Sequence, residues 1–234
     1  MQESFQSIID HADREWTGRL NAYAQASRQK YLDFATFIEP TEFTSEEVFK
    51  RLAFSILSVQ TPFDRTCGAF ARVLKLTLKQ RASLKTLYRA TAGCMYRTVK
   101  ARACYEAWRF AEENPQWFKR REGPLAPESW HEYRMRLDSL YGLGKAKATF
   151  AACLFYPLTA DLACLDTWML KQFHLNTSLN GRMTWGEYCA VEVKVRKHAK
   201  RWRVGTFVAQ WMIWDHARGS VESHSTIALP GGHK

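Results

Sequence analysis

No stretch of this 234-residue chain is apolar enough to cross a membrane, and none has the form of a secretion signal. Arg14, Arg19 and Arg28 with Asp10, Asp13 and Glu15 interrupt the N-terminal region. An intracellular, cytoplasmic protein with no membrane partner is the expectation. No Cys-x-x-Cys pair occurs among the six cysteines at 67, 94, 104, 153, 164 and 189, so zinc spacing is missing. Without a secretion signal these thiols are expected to be reduced and structural, not paired as a disulfide framework. There is also no His-x-x-x-His, no phosphate loop, no internal repeat and no alternating run long enough for a confident strand. Acid is absent over a long interval: residues 65–105 hold ten lysines and arginines and no aspartate or glutamate.

What is present is a basic chain with enough apolar residues to fold. A net charge of +11 and a pI near 9.5 favour a polyanionic partner, and 46% apolar residues can bury a core in one domain or two joined lobes. The acid-free interval implies a continuous positive field suited to phosphates, with solvated basic surface as the plainer reading. Lys119-Arg120-Arg121 and the cluster Lys194, Arg196, Lys197, Lys200, Arg201 and Arg203 add two further basic patches. The second falls on an expected helix, so only part of it can face one partner.

Helical periodicity dominates. Residues 1–37 carry Phe5, Ile8, Ile9, Trp16, Leu20, Tyr23, Tyr31, Phe34 and Phe37 among charges, which suits one long or two shorter amphipathic helices. Three pairs have capping-box spacing: Thr44 with Glu47, Ser129 with Glu132, and Thr184 with Glu187. Pro62 ends the helix over 44–60, Pro157 ends one over 146–155, and loops are expected at 122–127 and 176–182. The last helix, over 205–218, holds Phe207, Val208, Trp211, Met212 and Trp214. It includes Asp215-His216, a pair with no nucleophile nearby in sequence. After Gly219 a disordered tail is expected, flexible over 223–234.

Between the helices over 129–140 and 146–155 stands Tyr141-Gly142-Leu143-Gly144-Lys145-Ala146-Lys147-Ala148. Two glycines so close permit a tight turn, making a helical hairpin whose second helix begins with free N–H groups and a dipole that favours an anion. Asp166 precedes Thr167-Trp168-Met169-Leu170 at an expected helix start, where an aspartate is commonly an N-cap.

Gly142-Leu143-Gly144 with Ala148, then Leu165-Asp166-Thr167, resembles the signature of the helix-hairpin-helix DNA glycosylases, the endonuclease III superfamily. Leu57-Ser58-Val59-Gln60-Thr61 resembles that family's early Leu-Ser-x-Gln helix end, and Gly93-x-x-Tyr96-x-x-x-Lys100-Ala101 its mid-domain segment. The resemblance covers about residues 44–173. It implies an all-α, two-lobed fold: residues 44–157 as a helical barrel lobe ending in the hairpin, and residues 1–43 with 158–222 as the second lobe. The expected activity is hydrolysis of the N-glycosidic bond of a base flipped out of double-stranded DNA by a monomer with no cofactor. The iron-sulfur cluster of some relatives is not expected, since only Cys189 lies beyond Asp166.

The resemblance also assigns residues. Asp166 faces the sugar of the flipped nucleotide, where an anion stabilises oxocarbenium character, and cap and catalyst are compatible roles. Gly142, Leu143, Gly144 and Lys145 are expected at the phosphates, with Lys147 either there or on plain solvated surface. Lys100 is expected at the DNA, and Gln60 fills the gap left by the flipped base. Trp168 is expected to line the base pocket. Bifunctional relatives carry a lysine two residues after the second glycine, which here is Ala146; Lys145 and Lys147 flank it but are each rotated by roughly 100° on a helix. Hydrolysis by water is therefore expected. The rivals are a glycosylase-lyase using Lys145 or Lys147 and a DNA-binding module without catalysis. Alkylated, oxidised and deaminated bases remain open as substrates, as does a hypermodified base of viral DNA, which would make the enzyme a defence factor.

Overall fold

A computed structural model describes residues 5–123, 127–175, 183–219 and Ser223, with side chains from Trp16 onward. The expected loop over 176–182, residues 124–126 and residues 224–234 of the expected tail lie outside the described residues. Within them the chain is helical with no strand: α1 Phe5–Ile38, α2 Ser45–Leu57, α3 Phe63–Leu74, α4 Leu78–Arg81, α5 Leu84–Ala90, α6 Arg97–Glu113, α7 Trp130–Asp138, α8 Lys145–Phe155, α9 Thr167–Gln172, α10 Trp185–Trp202 and α11 Thr206–Ala217. A 3-10 turn, Pro115–Phe118, follows α6. The N-terminal region forms one long helix.

The caps are set by side chains. At α7 the Ser129 hydroxyl accepts from the Glu132 amide and Glu132 accepts from the Ser129 amide; Thr184 and Glu187 do the same at α10. Thr44 caps α2, but its partner departs from the box. The Glu47 carboxylate turns to Lys50 at 2.7 Å and Arg51 at 2.6 Å instead of returning to the Thr44 amide. Arg51 is itself buried and donates to the carbonyls of Leu154 and Ile38, so Glu47 helps neutralise a cation that joins α2 to α8 and α1. A reciprocal box not expected from the sequence, Thr77 with Gln80, starts α4.

Two apolar cores result. The larger one packs α2, α3, α5, α6, α7 and α8 around Phe49, Leu52, Phe54, Ile56, Leu57, Trp108 and Phe155. Each such large side chain contributes roughly 1.5–3 kcal/mol through burial. The smaller core joins Leu20 of α1 to Leu165, Met169, Leu170, Tyr188, Val191, Val195 and Ile213. The two meet along α11, which is buried over its whole circumference from Thr206 to Ile213. Its Phe207, Val208, Trp211 and Met212 face the larger core, and Ala209 and Ile213 the smaller.

Polar ties fix the elements across this seam. Arg134 of α7 and Glu192 of α10 form a fully buried ion pair at 2.7 Å. Arg28 of α1 donates to the carbonyls of Trp202 and Arg203, satisfying the C-terminal end of α10. Ser223, expected in the flexible tail, is instead buried. Its amide donates to Asp215 at 3.1 Å and its hydroxyl accepts from Trp211 at 2.8 Å. Asp215, in the last turn of α11, also accepts from the Tyr31 hydroxyl, and burial pushes its carboxyl above the usual range.

Candidate active site and nucleic-acid interface

The hairpin between α7 and α8 is built on its two glycines for different reasons. Gly142 has φ +88° and lies so close to α6 that a Cβ would stand 2.3 Å from the Cβ of Ala103. No other residue type fits there. Gly144 has φ −103° and open space around it. Its side-chain-free surface leaves the start of α8 approachable. Leu143 is buried and anchors the turn. Among the described residues no protein acceptor meets the amides of Gly144, Lys145 or Ala146, while Lys147 and Ala148 donate to the Gly144 carbonyl. Unpaired amides at a helix start suit a phosphate.

The lysines beside the hairpin are not equivalent. Lys145 donates to the Met183 carbonyl at 2.8 Å and lies over the Trp185 ring, so its amine is held against the segment before α10. Lys147 is half-buried with its ammonium 5.3 Å from the Phe150 ring centre, and Phe150 packs against Phe54 of α2 and Trp211 of α11. Its amine therefore lies on the side where the two lobes meet.

Asp166 is both cap and anchored carboxylate. One oxygen accepts from the amides of Trp168 and Met169, each at 3.0 Å, and the other from the indole N–H of Trp214 at 2.8 Å. The residue is only half-buried, so an outside group can reach it. The chain leading to it is fixed atom by atom. The Ala163 amide donates to Glu192, the Cys164 amide to Gln210 and the Leu165 amide to the Tyr188 hydroxyl, which donates in turn to the Ala163 carbonyl. Three consecutive amides held by buried side chains of α10 and α11 leave this approach little freedom.

The aromatic ring that donates to the Asp166 carboxylate is the indole of Trp214, a residue given no site role by the sequence. Trp168 stands exposed, with the Lys171 ammonium 5.1 Å over its ring. Trp214 faces Phe63 of α3 across the seam at 5.6 Å between ring centres, and Arg218 lies over both rings. Neither Phe63 nor Arg218 carried a sequence signal. Only the fold brings α3 to α11.

Gln60 is exposed in the turn after α2, in the left-handed region at φ +47°. Lys100, expected to contact DNA, is buried beneath it. Its ammonium donates to the carbonyls of Leu57 at 2.7 Å and Val59 at 2.5 Å and to the Thr61 hydroxyl. All three donors are occupied, which leaves none for a phosphate. Burial pushes its amine down to about 8. Tyr96, also exposed and at φ +52°, stands next to Met95, whose amide reaches the Thr61 hydroxyl.

The acid-free interval is likewise less uniform than its charge. Arg72 donates to the carbonyls of Ala90 and Ala92, Arg97 donates to the Tyr88 carbonyl and Arg81 is buried against Glu46, so with Lys100 four of the ten cations serve the fold. Arg65, Lys75, Lys79, Lys85, Arg89 and Arg102 are exposed. On α10, Arg196 pairs with Asp161 and Glu192, while Lys194, Lys197, Lys200 and Arg201 stay exposed. Among the described residues no cluster of three or more His, Cys, Asp or Glu could hold a metal ion, and no helix is long and apolar enough to cross a membrane.

The all-helical, two-lobed fold is that of solved 8-oxoguanine DNA glycosylases. The chain superposes on the 8-oxoguanine DNA glycosylase of Thermotoga maritima with a TM-score of 0.67 and 18% identity, covering 88% of this chain and 98% of that one. The 8-oxoguanine DNA glycosylase of Methanocaldococcus jannaschii gives 0.67 and 16%, over 90% and 97% of the two chains. The 8-oxoguanine glycosylase/lyase of the same organism, in complex with a 15mer DNA containing 8-oxoguanine, gives 0.60 and 17% over 83% and 90%. No protein-family model and no curated protein sequence matches the chain. At these identities the likeness is one of fold.

Proposed function

We propose that this protein is a DNA N-glycosylase that takes a base flipped out of duplex DNA and hydrolyses its N-glycosidic bond, leaving an abasic site. The observation that carries the reading is the Asp166 carboxylate, rigidly held, partly open and placed at the meeting of the lobes beside Trp214 and Phe63. Three hydrogen bonds to its two oxygens fix the orientation of the carboxylate, which can stabilise the positive charge growing on the sugar as the bond breaks. The open amides of Gly144, Lys145 and Ala146 receive a backbone phosphate, the exposed cations supply sequence-independent attraction, and Gln60 occupies the gap in the stack. Phe63 and Trp214 offer the extruded base aromatic surface.

An oxidised purine is the base proposed first, because the superposed enzymes are named for 8-oxoguanine. The test is mass spectrometry of bases freed from duplexes carrying oxidised, alkylated or deaminated bases and from phage DNA with modified bases. Release of 8-oxoguanine supports this choice; release of a hypermodified base alone reassigns the protein to defence.

A second reading, glycosylase with strand cleavage, has one observation in its favour. The Lys147 amine lies on the inter-lobe side, whereas Lys145 is tied to Met183 and Ala146 has no amine. Borohydride trapping on the released-base substrate separates the two. A covalent adduct lost in Lys147→Ala establishes the lyase, and absence of an adduct supports hydrolysis.

A further inference from the structure

We propose that Lys100, acting through Thr61, is a positioning residue for Gln60, locking the Gln60 turn to the Met95–Tyr96 turn so that Gln60 meets DNA already in its inserting geometry. The role given to Gln60 rests on the glycosylase reading; the clamp itself rests on geometry. Lys100 lies on α6, yet its side chain runs inward and its ammonium sits under the C-terminal end of α2. There it meets the Leu57 carbonyl, one of the groups a helix end leaves without an internal partner, where a cation also complements the dipole.

The other two acceptors bracket Gln60. Val59 precedes it and offers a carbonyl, and Thr61 follows it and offers a hydroxyl. A left-handed conformation costs a residue other than glycine about 1 kcal/mol or more, so Gln60 at φ +47° needs its flanks held. Lys100 holds both. The Thr61 hydroxyl then extends the clamp, because it also accepts from the Met95 amide at 3.2 Å. Next to Met95, Tyr96 is the second left-handed residue exposed on this surface. One buried ammonium and one hydroxyl thus couple two exposed turns that are distant in sequence. A helix cap alone would require only the Leu57 contact.

The test uses Lys100→Met, which keeps the stem and removes the ammonium, and Thr61→Val, which removes the hydroxyl but keeps the buried ammonium on its two carbonyl acceptors. Amide hydrogen exchange at Met95 reads the clamp without reference to catalysis, and it is expected to accelerate in both variants. Single-turnover base release is then compared on a fully paired and a mismatched duplex. Loss of a charge-assisted contact should slow the paired duplex about tenfold or more and the mismatched one much less. In a Gln60→Ala background neither variant should add to the loss, since both would act through the same side chain. Should Lys100→Met not fold, Thr61→Val carries the same comparison.

Unchanged Met95 exchange overturns the clamp. Equal slowing on both duplexes, or a full further loss in the Gln60→Ala background, overturns its role in positioning Gln60. A wild-type protein that releases no base from any duplex refutes the glycosylase reading instead. Positioning is then read by fluorescence of 2-aminopurine in bound duplex: a rise that both variants lose upholds it, and a rise they keep overturns it.

Discussion

Replacing Asp166 with Asn separates the carboxylate's structural duty from the chemical one proposed for it. In wild type both oxygens accept: one from the Trp168 and Met169 amides, the other from the Trp214 indole. An Asn side chain has one acceptor end and one donor end, so either the indole or the two helix amides must face an NH2 group. Leaving such a donor without its acceptor costs about 1–3 kcal/mol, and this is the stability loss expected in urea unfolding. Trp214→Phe in the same chain removes the conflicting donor. The double variant should therefore be more stable than the sum of the single losses by about 1 kcal/mol.

Activity should not follow stability. Removing one electrostatic stabiliser of a transition state typically costs on the order of 100-fold or more in rate, and the Trp214→Phe change cannot restore a missing charge. Single-turnover base release should thus stay low in both Asp166→Asn proteins, with DNA affinity unchanged or slightly higher because a carboxylate near phosphates is gone. A folded Asp166→Asn protein that releases base at the wild-type rate would refute the mechanism and leave Asp166 as a helix cap.

The hairpin glycines should behave in opposite ways. Gly142→Ala is expected to lower the melting temperature, because its Cβ collides with Ala103 at an unfavourable φ, whereas Gly144→Asp should keep the fold and weaken duplex binding through repulsion of the phosphate. Unchanged binding by folded Gly144→Asp at low salt removes the hairpin from the interface. Tyr188→Phe leaves the Leu165 amide without its acceptor, and should slow base release more than it weakens DNA binding. A fall in affinity as large as the fall in rate would count against that order. The pH dependence of stability should report Lys100. With its folded amine near 8 and its unfolded amine near 10.4, the unfolded chain binds more protons between those values, so this group makes stability rise with pH there. The facing Cys94 and Cys104 thiols, pushed up by burial, act in the opposite direction, and Lys147 is the other charge nearby. Comparison of wild type with Lys100→Met isolates the lysine, and identical pH slopes would contradict the lowering of its amine by burial.

Much of the architecture was readable from local chemistry. The boxes at Ser129 and Thr184, the Gly-Leu-Gly turn and the Asp166 cap depend on residues a few positions apart, so spacing alone carries them. What could not be read depends on residues far apart. Lys100 sits in a basic stretch and looks like surface, but the carbonyls that turn it inward belong to Leu57 and Val59, about forty positions earlier. Glu47 had the spacing for a box and was drawn away by Arg51, a cation buried by α8. Trp168 is two positions from Asp166 in sequence, yet its place in the first turn of α9 turns it to solvent, and the indole that reaches the carboxylate comes from α11. Ser223 lies in a polar segment, and the buried Asp215 supplies the partner that holds it.

The most direct measurement incubates the protein with a duplex containing a single 8-oxoguanine and assays freed base by mass spectrometry and strand breaks with and without hot alkali. The expected result is free 8-oxoguanine with breaks only after alkali, as an intact strand carrying an abasic site requires. Tight binding of the duplex with no base released, from this lesion or any other, would contradict the assignment.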